Sequence, residues 1–367
     1  MVHIIFKTLF TLFLSMSISA LSIAETITVD IKHPSIGDYT NLQDAHDAAS
    51  DGDTILVYPS DDSYPGILIT KSVKIIGTGM TYPSNTLKTT KISGTVTFSE
   101  GSNGSLIDGF AGSFNITINS ENVEIKRNHL SSLTVNGSNS KIKLNMINNI
   151  SIDSDNTFVN KNIIRLVVLK SDNCGTIVLQ NYISSKSGYA ALIEVQGKND
   201  IFISNNIIIN GSSLGVRSQA SSVSIIIQNN YIKAGEALRL SNLNSYVENN
   251  ILDGYCSGLG YYYNINAHDL DKLQNSNDNI LNVDIEDNFV NAAEKDFHLL
   301  ESSVAKGAGR NGIDIGPYGG KTPFDESIFD TNNLRPSLPA ILSIESDSIV
   351  ANSDQLTVTI KAKSFNE

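Results

Sequence analysis

Asn145-Met146-Ile147 is followed by Asn162-Ile163-Ile164, seventeen residues on, and preceded by Asn128-His129-Leu130 at the same distance. The pattern Asn-x-Ile/Leu returns at Asn181, Asn206, Asn230 and Asn250, with successive spacings of 17, 17, 19, 25, 24 and 20. Short Ile/Val-rich runs with turn residues fill the intervals, and no helical period runs through them. A repeat near 20 residues of this composition means a solenoid in which one unit is one coil, unable to bury its apolar face until a neighbour stacks on it. A parallel β-helix satisfies this, with Ile, Val and Leu inward and Asn at equivalent turns, where it tolerates the left-handed region. Stacked Asn side chains are also expected to hydrogen-bond along the axis.

Composition agrees with many strands and turns. The chain of 367 residues holds 40 Asn, no Trp and 17% charged residues, with 40% hydrophobic. Its net charge of −12 and six scattered Arg exclude a phosphate-neutralising face, so no nucleic-acid partner is expected. Residues 1–24 carry Lys7, an apolar run over 8–21 and Ser22-Ile23-Ala24 before Glu25, which fits a cleaved signal peptide. No second apolar span follows, so the mature chain is expected to be secreted or surface-attached without a transmembrane segment. Cys174 and Cys256 lie 82 residues apart, several coils, and are expected to be unpaired small hydrophobes.

Upstream of the repeats, Thr40-Asn41-Leu42-Gln43 has capping-box spacing, Leu42, Ala45, Ala48 and Ala49 share a face, and Gly52 supplies a stop. A short amphipathic helix is expected there as a cap on the first strands. Residues 321–340 contain three Pro and read as a linker. The tail 341–367 alternates at Leu342-Ser343-Ile344 and again at Leu356 to Lys361, which predicts two strands.

The segments Tyr39 to Ile55 and Lys71-Ser72-Val73-Lys74-Ile75-Ile76-Gly77 resemble the N-terminal cap and first coils of bacterial right-handed β-helix proteins with the pectin-lyase-like fold. Asp296-Phe297-His298-Leu299, Ser303 to Gly309 and Asp314-Ile315-Gly316-Pro317-Tyr318 are similar to their closing segment. The resemblance implies an all-β, right-handed parallel β-helix over 25–320, with a capping helix and a small C-terminal β extension. It implies no single activity, because that fold carries lyases, hydrolases, epimerases and proteins without assigned chemistry.

A lyase of this fold needs a base, and Ca²⁺ or Arg to neutralise a uronate carboxylate. Gly-His-Gly, Arg-Ile-Lys and Asn-Thr-Asp are absent from the sequence, which disfavours pectin hydrolysis. Aligning successive coils pairs Ala191-Leu192-Ile193 with Gly215-Val216-Arg217 and Ala237-Leu238-Arg239, which sets Arg217 outward above Arg239. Two stacked cations call for an acid such as Glu236 or a bound anion. Tyr261, Tyr262 and His268 follow on an insertion, offering aromatic faces and a proton acceptor. Asp153-Ser154-Asp155-Asn156 alternates carboxylates but lacks the rest of a calcium loop, so a turn is expected there and no cofactor. The expectation is a non-catalytic binder of polysaccharide or cell-surface glycan. The alternative is a polysaccharide lyase on an acidic glycan, with His268 as base.

Overall fold

The computed structural model describes residues 24–80, 89–170, 175–185, 191–197, 200–219, 224–240, 244–257, 278–320, 323, 340–346 and 358–363. The leader, Cys174, nearly all of the 321–340 linker, and the segment with Tyr261, Tyr262 and His268 lie outside them.

Alternation along each short strand puts every second side chain on one face, and parallel stacking puts equivalent residues of successive coils in file. Two ladders result, one of eleven strands from Thr26–Val29 to Asn244–Glu248 and one of twelve that includes Thr95–Phe98, Met146–Ile152 and Ile251–Ser257. Every pairing within them is parallel, so the chain is an all-β parallel solenoid. In the first ladder Ile27, Ile55, Ile75, Ile107, Ile125, Ile142, Val159, Val178, Ile203, Ile227 and Val247 form an unbroken inward file. All but Ile27 are fully buried. In the second ladder Val96, Ile116, Leu133, Ile150, Val167, Ile193, Val216, Leu238 and Cys256 face them. Cys256 is thus a core residue, and burial pushes its thiol up to about 12.

The repeated Asn lines one corner, but not in the conformation its turn propensity suggests. The left-handed residue is the one before it: Arg127, Leu144, Lys161, Gln180, Asn205, Asn229 and Asn249 have φ of 53–58°. The repeated Asn is instead turned inward and fully buried at 128, 145, 162, 181, 206, 230 and 250. Its value there is hydrogen bonding. Asn206 Oδ1 accepts from the Asn181 main-chain N–H at 2.8 Å, and its amide donates to the carbonyls of Val178 at 2.8 Å and Ser204 at 2.9 Å. The same amide reaches Asn230 Oδ1 at 2.9 Å, and this linkage repeats from Asn128 up to Asn279. Asn279 is a rung the sequence pattern missed, because the insertion after residue 257 breaks the spacing.

The cap is the helix Leu42–Ala48. Asn41, rather than Thr40, is its N-cap, accepting from the N–H groups of Gln43 and Asp44. Gln43 is therefore released from capping and exchanges hydrogen bonds with the main chain of Leu68 at 2.9 and 3.1 Å. Ala48 is exposed and His46 is buried in its stead, because His46 Nε2 accepts from the Thr70 N–H at 3.1 Å. The helix ends at Ala49, whose extended backbone stops it before Gly52 is reached.

The closing segment works as a strap. Residues 285–318 bury Ile285, Phe289, Phe297, Ala305 and Ile315 against Ile207, Tyr231 and Ile251, a second core outside the coils. The strap then runs back along the Asn corner. Asn249 donates to the Ala308 carbonyl, Asn229 Oδ1 accepts from the Arg310 N–H, and Asn205 and Gln180 donate to the carbonyls of Gly316 and Gly319. The tail forms an antiparallel pair, Ala340–Ser346 with Val358–Lys363.

Replacing Asn206 by Leu, close in volume but unable to hydrogen-bond, leaves the Asn181 N–H and the Val178 and Ser204 carbonyls without their partner. It should cost about 3–5 kcal/mol. Asn136→Leu, at an exposed Asn–Asn contact, should cost under about 0.5 kcal/mol. Urea unfolding of the two variants checks the contrast.

Candidate functional site

The outer face of the second ladder is built as the core is, from residues in file. One outward file runs Thr97, Thr117, Thr134, Ser151, Val168, Glu194, Arg217, Arg239. Beside it runs Thr95, Asn115, Ser132, Asn149. Neighbours in a file are ~4.8 Å apart and the two files ~6.8 Å apart, a flat lattice of hydroxyls and amides on a rigid support. Some of these bond along the axis, Ser132 Oγ donating to Asn115 Oδ1 at 2.7 Å.

The file ends in charge. Arg217 and Arg239 are register partners on adjacent coils. Each also has its own carboxylate. Arg217 donates to Glu194 Oε1 at 2.6 Å, both being largely buried, and Arg239 makes a two-pronged pair with Glu236. The alignment of Leu192 with Val216 is corrected by one residue: Ile193 is opposite Val216 and Glu194 opposite Arg217. Ala191, Leu192 and Ile193 are all buried where the coil bends, which breaks the strict alternation that the alignment assumed. The acid at Arg217 was missed for that reason, whereas Glu236 sits beside Arg239 as its spacing suggests. Two Arg and two Glu leave the cluster with no net charge.

Burial alone would push the Glu194 carboxyl up. Hydrogen bonds from Gln196 and Arg217, with the Arg217 charge, outweigh it and hold the pKa below the ordinary glutamate value. Tyr261, Tyr262 and His268, the proposed aromatic and proton-accepting partners, lie outside the described residues. Asp153 to Asn156 form the turn between the strands ending at Ile152 and starting at Phe158, with Asn156 left-handed. Among the described residues no three His, Cys, Asp or Glu gather as a metal site. Nor is any described helix long and apolar enough to cross a membrane. Arg127, an Arg of ordinary surface appearance in the sequence, is buried and paired with Asp108, so it belongs to the corner and not to any binding face.

Removing Arg217 strands a largely buried carboxylate, whereas Arg239 is half exposed. Arg217→Ala should therefore lose about 1–3 kcal/mol and Arg239→Ala under about 1 kcal/mol. Since the folded-state pKa of Glu194 is depressed, its contribution is present above the unfolded glutamate value and is lost as pH falls through the folded one. The gap between wild type and Arg217→Ala should close on acidification, as unfolding curves at neutral and acid pH will read.

Compared with known proteins, the chain matches no family model, no curated protein and no solved structure. What it does has to follow from its own surfaces.

Proposed function

We propose that the protein is a secreted or surface-attached β-solenoid that binds polysaccharide without catalysing its cleavage. One observation carries this reading: the second ladder presents Thr, Ser and Asn in two parallel files that end at Arg217 and Arg239. A polysaccharide repeats hydroxyls along a line, and a rigid support that repeats hydrogen-bonding groups along a line meets it without paying to order flexible loops. Export is supported by the leader at 1–24, and the right-handed, pectin-lyase-like assignment by the cap and closing motifs. At the charged end, Arg217 and Arg239, each sharing its charge with a glutamate, are placed to exchange that partner for a glycan carboxylate, with Tyr261 or Tyr262 against a sugar face.

Calorimetric titration with alginate, pectate, glycosaminoglycans and neutral glycans tests this. Binding without unsaturated product in the ultraviolet is expected. Product formation abolished by His268→Ala would establish the lyase alternative instead. If an acidic glycan binds at the charged end, the double change Arg217→Ala with Arg239→Ala should weaken it about ten- to a hundredfold, with Lys74→Ala as an exposed control.

A further inference from the structure

The outer face of the first ladder changes character along the axis. From the N-terminal end its outward file reads Thr26, Thr54, Lys74, Leu106, Glu124, Lys141, a mixed and largely polar surface. The next five coils place Phe158, Ile177, Phe202, Ile226 and Tyr246 in direct register. None of the five belongs to an apolar core; the inward positions next to them are filled by Val159, Val178, Ile203, Ile227 and Val247. Tyr246 is 59% exposed and the other four are partly exposed. An apolar file on a solvent-facing sheet costs solubility and adds nothing to the interior, so its composition calls for a ligand.

The rings fall on every second coil. Two coil steps are ~9.6 Å, so Phe158, Phe202 and Tyr246 stand at equal intervals of that length, with a flat aliphatic residue between each pair. In an extended β-1,4-linked glycan with two-fold symmetry, every second sugar presents the same face, and one disaccharide spans about this interval. The C–H groups on a pyranose face form an apolar patch that stacks on the electron-rich face of an aromatic ring. Polar groups border the file two positions earlier in the strands, on the same side: exposed Asp200 beside Phe202, and Ser224 beside Ile226. They are placed to bond ring-edge hydroxyls.

Size and charge decide between ligands. A file one residue wide and four coil steps long covers on the order of 130 Å². A stable interface between protein chains buries ~800 Å² on each partner. The file has the width of a single sugar chain. Its five positions carry no charge, and the Asp200 carboxylate beside them, in a chain of net charge −12, disfavours a polyanion.

We propose that Phe158, Phe202 and Tyr246 form a stacking platform for a neutral, extended β-1,4-linked glycan lying along the solenoid axis, one ring under every second sugar. This rests on the polysaccharide reading but uses a different face from the one that carries it. The test is sedimentation of the full chain with microcrystalline cellulose and with chitin, and calorimetry with a soluble hexasaccharide of each. Phe202→Ala and Tyr246→Ala should each weaken binding about tenfold, while Tyr246→Phe, which keeps the ring, and Arg217→Ala should not. Thermal melting of Tyr246→Ala should match wild type, since the ring is mostly in solvent. Equal binding by all variants would overturn the platform and leave the polysaccharide reading standing, as would binding confined to acidic glycans. Failure to bind any polysaccharide would overturn both. Self-association that disappears in Tyr246→Ala would assign the file to a second copy of the chain and overturn the platform.

Discussion

Everything in this molecule depends on each coil being held by the two beside it, and the buried Asn is where that dependence is most concentrated. Its side chain takes a main-chain N–H from the coil before, returns an amide to a carbonyl of that same coil, and hands its remaining N–H to the Asn of the coil after. The corner would otherwise leave buried carbonyls and N–H groups unpaired, each at a cost of about 1–3 kcal/mol. The ladder of amides meets that cost at every level. It also permits the left-handed conformation at Arg127, Leu144, Lys161 and Gln180, residues with no preference for it. The strain of one residue is offset by the hydrogen bonds of the next.

Because the interior is defined by files of Ile, Val, Leu and Asn, the outward files are free to differ without loss of fold. They do differ. One ladder presents hydroxyls and amides that give way to paired charges, and the other presents mixed polar residues that give way to Phe158, Ile177, Phe202, Ile226 and Tyr246. A groove enzyme concentrates chemistry in one cleft, whereas these surfaces are long and repetitive, as a linear polymer would require of them.

An open stack of parallel strands has two exposed ends and a long flank, which are hazards for association. The N-terminal end is joined to its helix through Gln43 and His46, whose side chains hydrogen-bond to the strand at Leu68 and Thr70. The flank is closed by the strap over 285–320. Its aromatic residues cover Ile207, Tyr231 and Ile251, and its main chain meets Asn249, Asn229, Asn205 and Gln180 in turn. These four side chains are thus drawn from the residues preceding the amide ladder, on the outer side of the same corner.

Local pattern was enough to read the solenoid, because a spacing near 20 residues with alternating apolar positions admits few other ways of burying them. It placed Arg217 beside Arg239 for the same reason, as both lie in coils of nearly equal length. It did not find Glu194, since three successive buried residues at a bend shift the register, nor Asn279, which lies beyond an insertion. The file from Phe158 to Tyr246 was missed although its rings are spaced by 44 residues twice over, because single-coil periods were sought and the signal is one of two coils. The sequence alone therefore determined which residues are repeated and which must be buried. Tertiary structure decided which residues meet, because contacts in a stack run perpendicular to the chain, between positions whose separation depends on every turn in between.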